Sequence, residues 1–167
     1  RMSLPVIRAL GKSGVPVIAA ERDSCSTKAA LGFYSRSAGR NALISDAEES
    51  TARFIDDLRA LSDSLDARPV IMPVGMTTLL ALAEHADEVS EFADTALAPI
   101  SSIELANDKA RLIPFAESVG IPVPETTFIS ESETVEALSE RIKYPCVIKL
   151  TAGELLGLDP ANRYAII

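Results

Sequence analysis

The chain is poor in the residues that build metal sites and disulfide scaffolds, with two cysteines and one histidine among 167 residues. Cys25 and Cys146 stand far apart, and neither a Cys-x-x-Cys pair nor a His-rich spacing is present. This pattern excludes the usual zinc and disulfide frameworks and predicts two reduced thiols. His85 lies beside Glu84 and Asp87 with no nucleophile or second ligand at a workable spacing, which predicts a surface histidine.

Long apolar runs and an excess of basic residues are also missing. No stretch approaches the roughly 18 uninterrupted apolar residues of a membrane span, and no basic region followed by an apolar signal core opens the chain. Lys and Arg number 16 against 24 Asp and Glu, so the net charge of −8 repels phosphate backbones and acidic lipids. We therefore expect a soluble cytoplasmic protein that binds neither nucleic acid nor a membrane.

Apolar residues make up 47% of the chain, enough for a core. Their periodicity alternates between helices and short strands. The pattern predicts a helix over 3–13, a second helix that follows a Ser45–Glu48 capping box and ends near Leu65, a third helix over 76–89, and strands over 15–20, 42–44 and 69–73. This alternation predicts an open α/β sheet whose parallel strands are buried on both faces.

The pattern changes near residue 99, where Ala98-Pro-Ile-Ser-Ser102 breaks it. Asp108 is expected to cap the next helix, which contains Pro114 and ends at Gly120. This helix is expected to bury Leu112, Phe115 and Val119. After it, the sequence predicts a strand over 126–129, a helix capped by Ser130 and Glu133, and a strand over 146–150. The sequence thus predicts two domains, residues 1–103 and 104–167.

Two lysines are candidate phosphate ligands. Lys149 ends the apolar strand Val147-Ile148-Lys149, where an unpaired buried ammonium is costly and a phosphate would satisfy it. The alternative is a strand-end lysine that extends to water. Lys109 lies in the first turn of a helix, an unfavourable place for a cation unless an anion binds there too. The alternative is an ordinary surface lysine.

Three loops are further candidates. Gly153, Glu154 and Gly157 lie in a segment whose backbone amides could cover phosphates, since glycine tolerates close approach and positive φ. A plain hairpin or loop with a solvated Glu154 is the alternative.

In open α/β sheets ligands bind at the carboxyl ends of strands, so two loops there form a candidate substrate wall. Their candidate residues are Asp23, Ser24, Cys25 and Ser26 after the first strand, and Gly75, Thr77 and Thr78 after the third. The alternatives are a polar connection and a helix cap.

Taken in order, these residues resemble the ATP-grasp superfamily. Asn107-Asp108-Lys109, then Gly120-Ile-Pro-Val-Pro124, then Tyr144-Pro-Cys-Val-Ile-Lys149 are similar to the run in which both lysines contact ATP. The segments Arg8–Val17 and Tyr34-Ser-Arg36 resemble the preceding domain in proteins similar to carbamoyl-phosphate synthetase and D-aspartate ligase. The resemblance covers nearly the whole chain, and its specificity lies in the order and spacing of short motifs.

The resemblance implies a Rossmann-like pre-ATP-grasp domain that lacks its first strand, followed by the start of an α+β ATP-grasp subdomain. It implies an ADP-forming ligase that activates a carboxylate as an acylphosphate for attack by an amine or another nucleophile. Lys109 would contact nucleotide phosphate, Lys149 the α-phosphate side or the adenine, and Gly153 to Gly157 would form the glycine loop. That loop has fewer glycines than is usual in the family, and Leu150 replaces a common proline.

The resemblance also assigns cofactors and partners. ATP and Mg²⁺ would be the cofactors, with the magnesium carboxylates expected beyond Ile167, so no catalytic residue or metal ligand is assigned within the chain. Residues 1–167 alone are therefore expected to be inactive. The substrates would be a small carboxylate and an amine, and homodimers are common among such proteins.

Two other functions fit parts of the pattern. A non-catalytic ligand-binding or regulatory α/β module is one, because the front domain has no evident acid, base or nucleophile. A nucleotide-sugar or dinucleotide-binding half is the other, although no Gly-x-Gly-x-x-Gly occurs.

Overall fold

The computed structural model shows a mixed α/β protein with small sheets. Its backbone divides into two compact units, Arg1–Ile100 and Ser101–Ile167. The assignment of domains to residues 1–103 and 104–167 stays a prediction. The structure describes residues 3–25, 30–130, 133–151 and 164–166.

The first unit alternates helices with short parallel strands, which confirms the α/β class. β1 (Ile18–Arg22) pairs in parallel with β2 (Arg40–Ile44), with Ile18 opposite Arg40. β3 (Val70–Ile71) pairs in parallel with β4 (Asp94–Thr95), with Val70 opposite Asp94. The elements are α1 (Ser3–Lys12), β1 (Ile18–Arg22), a 3₁₀ turn (Leu31–Tyr34), β2 (Arg40–Ile44), α2 (Thr51–Asp63), β3 (Val70–Ile71), α3 (Met76–Glu84), α4 (Ala86–Val89) and β4 (Asp94–Thr95).

The first helix ends as predicted, and the first strand starts later than predicted. Gly14 follows α1 with φ +77°, the left-handed conformation that glycine adopts at helix ends. β1 begins at Ile18 rather than Val15. Pro16 has no N–H to give to a sheet, and the first contact between the two strand segments is Gly39 N–H to Val17 O, at 2.9 Å.

The capping box predicted at Ser45 and Glu48 is wrong. Ser45 instead donates its N–H and its hydroxyl to Asp57 Oδ2, both at 2.7 Å. α2 begins only at Thr51, after a turn, and its cap is Ser50, whose Oγ accepts the Arg53 N–H at 3.4 Å. Ser45 and Glu48 therefore do not cap the helix that follows β2.

The core of the first unit is formed by α2 and by the segment from α3 to β4. Its members are Ile44, Ala47, Phe54, Ile55, Leu58, Ala81, Leu82, Val89, Phe92 and Ala93, with Ile71 and Leu97 packed against them. The predicted helix over 76–89 is interrupted at His85, which separates α3 from α4. The strand predicted over 69–73 forms only at Val70–Ile71, and its predicted burial is wrong, because Val70 and Met72 are 63% and 53% exposed.

The second unit has helices and one antiparallel strand pair. In β5 and β6, Val147 lies opposite Ile166. The elements are α5 (Ile100–Asn107), α6 (Lys109–Ser118), α7 (Val135–Arg141), β5 (Val147–Lys149) and β6 (Tyr164–Ile166). α5 occupies the stretch that was expected to break the pattern, and its first residue is the last of the first unit.

Several local predictions for this unit are wrong. Residues 121–130 contain no helix or strand, so the strand expected over 126–129 does not form. α7 is capped by Thr134, whose Oγ1 accepts the Ala137 N–H at 3.2 Å, rather than by Ser130 and Glu133. Asp108 does cap α6, but Phe115 and Val119 are 49% and 55% exposed. The apolar positions of α6 therefore do not enclose a core.

The cysteines and the histidine behave as predicted. Cys25 and Cys146 are both thiols rather than disulfide partners. His85 is partly exposed, and its Nδ1 lies 3.3 Å from Glu88 Oε2. None of the helices in the described part of the chain is long and apolar enough to cross a membrane.

Candidate functional site

The two candidate lysines lie on neighbouring segments of the second unit. Lys109 is the first residue of α6 and Lys149 the last residue of β5. The Lys109 N–H donates to the carbonyl oxygen of Thr151, two residues after Lys149, at 2.9 Å. The fold therefore joins the start of the helix to the chain that leaves the strand, and this brings the two lysine segments together.

The start of α6 is satisfied by protein groups. Asp108 Oδ1 accepts the Ala110 N–H at 2.9 Å, and the Asp108 carbonyl accepts the N–H groups of Arg111 and Leu112 at 3.2 and 2.8 Å. With Lys109 bound to Thr151, each of the first four N–H groups of the helix has an acceptor.

Lys149 is not buried, and this corrects the reason given for its choice. All three residues of β5 are exposed, with Val147 and Ile148 at 52% and 39%. The ammonium therefore needs no anion to compensate for burial, and only its place beside the Lys109 segment keeps it a candidate. Lys109 is partly buried at the helix start.

Four of the candidate residues lie outside the residues that the structure describes. They are Ser26 in the first loop and Gly153, Glu154 and Gly157 in the proposed glycine loop. Their assignments stay predictions.

In the first unit, the loops after β1 and β2 meet at Asp46. This carboxylate is 9% exposed, and its Oδ2 accepts from Arg22 Nη1 and from the Ser24 hydroxyl, both at 3.0 Å. Its Oδ1 accepts the Glu48 N–H at 3.1 Å. Asp23 is exposed, and its own N–H donates to Ile44 O at 2.8 Å. The carboxyl ends of two parallel strands are thus joined by one buried acid.

The surroundings of Asp46 keep it ionised. Burial alone would raise the pKa of its carboxyl, but the hydrogen bonds from the Glu48 N–H, Ser24 and Arg22, together with the charge of Arg22, lower the pKa below its ordinary value. The same hydrogen bond and charge raise the pKa of the Arg22 guanidinium, whose side chain is 53% exposed. Arg22 therefore presents a fixed positive charge at the surface.

The loop after β3 reaches the same network through Thr77. The Thr77 hydroxyl donates to Glu48 Oε1 at 2.9 Å, whereas the Thr78 hydroxyl donates to the Gly75 carbonyl at 2.9 Å within the first turn of α3. A methyl group added to Gly75 would meet only Thr78 Oγ1, at 3.7 Å, so this glycine is not required by close packing. Ser24 and Thr77 are thus connected through Asp46 and Glu48.

Sequence reasoning missed Arg22, Asp46 and Glu48. A signal was available, since Asp46 lies two residues after β2, which pairs in parallel with β1, and polar residues at such strand ends mark ligand sites. The signal was lost because Ser45 and Glu48 matched a capping box. A separate groove of about 400 Å³ lies between β2 and α2, but none of the predicted loop residues lines it.

Among the described residues, no group of three or more His, Cys, Asp or Glu side chains is placed to hold a metal ion. Comparison of the sequence with protein-family models and with curated proteins finds no match. The candidate arrangements are therefore two lysines on hydrogen-bonded segments of the second unit and a polar cluster around Asp46 in the first.

Proposed function

We propose that the chain is the amino-terminal portion of an ATP-dependent, ADP-forming ligase of the ATP-grasp type, and that residues 1–167 alone are inactive. The observation that carries the proposal is the 2.9 Å hydrogen bond from Lys109 N–H to Thr151 O. It unites two lysine segments that are 40 residues apart in sequence, at about the spacing that the family resemblance requires.

In this proposal Lys109 and Lys149 neutralise the phosphates of ATP, which supplies the phosphoryl group that activates a carboxylate. Two ammonium groups on adjacent segments suit a polyanion, because each added cation strengthens the attraction to phosphate. Mg²⁺ would also be required, but the described residues provide no set of ligands for it. Its ligands are expected from residues beyond Ile167.

The first unit would be the Rossmann-like pre-ATP-grasp domain. Its strands form two separate parallel pairs, which the proposal takes as parts of one open sheet. The cluster of Arg22, Ser24, Asp46, Glu48 and Thr77 would form one wall for the carboxylate or amine substrate. Parallel strand ends are the common place for such ligands. The protein would act in the cytoplasm, as a homodimer, with small molecules rather than nucleic acid or lipid as partners.

The test is ADP release by the full-length protein with ATP and Mg²⁺, screened against carboxylates paired with amines. Lys149→Ala is the informative variant, because it removes a proposed phosphate contact from an exposed position. Lys143→Ala is the matched control, since Lys143 is an exposed lysine of the same unit that pairs with Glu125 instead.

Substrate-dependent ADP release that Lys149→Ala abolishes and Lys143→Ala retains would support the ligase. Equal activity of the wild type and Lys149→Ala would contradict the proposed role of Lys149. A folded wild type that binds no ATP and releases no ADP with any pair would contradict the ligase itself.

The second candidate function is a non-catalytic module that binds a small polar ligand. The observation that favours it is the Asp46 network, in which Arg22 and Ser24 are held by a carboxylate of the first unit. A ligand that raises the melting temperature in the absence of ATP, with the rise lost in Arg22→Gln, would support this function.

A further inference from the structure

The start of α6 is a place where helices commonly bind phosphate through free backbone N–H groups. Here those donors are occupied. Lys109 N–H is bound to Thr151 O, Ala110 N–H to the Asp108 carboxylate, and the next two to the Asp108 carbonyl. An anion that approached the helix would therefore meet no unpaired amide in this first turn.

We infer that Asp108 is a positioning residue for the proposed nucleotide site: it closes the first turn of α6 to phosphate and holds Lys109, so that the ammonium groups of Lys109 and Lys149 carry phosphate recognition. The inference rests on the proposed function. Asp108 itself would not touch the nucleotide, because its carboxylate is bound to Ala110 N–H and carries the same sign of charge as phosphate.

The geometry explains why this residue matters. A capping side chain fixes the residue at which a helix begins, and Lys109 is that residue in α6. With the helix starting there, the Lys109 N–H donates to Thr151 O. Loss of the cap allows the first turn to fray, and this moves the Lys109 side chain away from the segment that carries Lys149.

The experiment measures ATP affinity of the full-length protein by calorimetry for the wild type, Asp108→Ala and Asp108→Asn. Asparagine caps helices as well as aspartate does, so Asp108→Asn should retain the wild-type affinity, whereas Asp108→Ala should weaken it roughly fivefold. Thr134→Ala is the matched control, because it removes the cap of α7 in the same unit. It should lower the melting temperature and leave ATP affinity unchanged.

A double-mutant cycle separates positioning from general stability. If Asp108 acts through Lys109, Asp108→Ala should have no further effect on ATP affinity in a Lys109→Met background. An equal fivefold loss in both backgrounds would overturn the inference, and so would tighter binding by Asp108→Ala, which would mean that freed amides bind phosphate. A wild type that binds no ATP would overturn the proposed function and this inference with it.

Discussion

The two units of the chain differ in how they keep their apolar residues from water. In the first, α2, α3, α4 and the segment after them enclose a core in which Ile55, Leu82 and Val89 are at most 2% exposed. In the described part of the second, Ile103 is the buried apolar residue, while large side chains lie at the surface. These exposed residues are Phe115, Val119, Ile121, Phe128, Ile129, Tyr144, Val147, Ile148 and Ile166.

The difference teaches that helices can be specified in two ways. α2 is held by burial of Phe54, Ile55 and Leu58, whereas α6 has no buried residue and depends on its Asp108 cap and the tie to Thr151. Burial of a large apolar side chain contributes about 1.5 to 3 kcal/mol, and a cap contributes about 1 kcal/mol. The first unit should therefore be the more sensitive to truncation of its apolar residues.

The largest expected effect is in the core of the first unit. Leu82→Ala should lower the free energy of unfolding by about 2 to 5 kcal/mol, because Leu82 is 1% exposed and its removal leaves a cavity. Val147→Ala in the second unit should cost under about 0.5 kcal/mol, because Val147 is 52% exposed. Urea unfolding monitored separately in each unit measures the loss of unfolding free energy for both variants. Similar losses would contradict the expected difference between the two units.

The next effect comes from the buried acid. Asp46→Asn should destabilise the first unit by about 1 to 3 kcal/mol, because it removes the charge that Arg22 and two other donors face. Asp56→Asn, at an exposed position of α2 in the same unit, is the control and should change little.

The same residue predicts a pH dependence. The pKa of Asp46 is lower in the folded state than its unfolded value of about 4, so its contribution is full above that value and is lost as the pH falls through the folded pKa. The stability difference between wild type and Asp46→Asn should therefore shrink below about pH 4. A difference that stays constant between pH 7 and pH 3 would contradict this account.

Replacement of a left-handed glycine should cost the same stability in both units. Gly14 and Gly120 both have φ +77°, and neither has any atom within 4 Å of an added methyl group. Gly14→Ala and Gly120→Ala should each cost about 1 kcal/mol, from backbone strain alone. Unequal losses in unfolding experiments would show that the units respond differently even to a local change.

The smallest effect is expected at an exposed ion pair. Lys143 Nζ lies 2.8 Å from Glu125 Oε1, and both side chains are about 80% exposed. Solvent screens such pairs, so Lys143→Gln should leave the melting temperature unchanged. A clear decrease would mean that this contact, rather than the helix caps, holds the second unit together.

The sequence predicted those features that depend on local chemistry. The bounds of α1, the cap at Asp108, the strand at Val147–Lys149 and the glycine stops follow from single residues and their neighbours. Burial was predicted poorly, because a strand such as β3 is buried only if partners cover both faces, and Val70 in β3 and Met72 just after it are exposed. Sequence periodicity does not reveal whether those partners are present.

The residues of the candidate site were likewise predicted only in part. Ser24 and Thr77 were identified because they follow strands, and the structure connects them. Their central partner Asp46 was missed, because its role depends on Arg22, 24 residues away in sequence. A contact at this distance is fixed by strand pairing and not by a local motif.

The segment that follows Gly120 also has a mechanical consequence. Pro122 and Pro124 each hold φ near −65°, and each biases the residue before it toward extended backbone, so Ile121 and Val123 are restrained as well. Four consecutive residues therefore form a stiff spacer that follows the left-handed Gly120. This spacer restricts the distance between the end of α6 and Glu125 more tightly than a glycine-rich linker of the same length would.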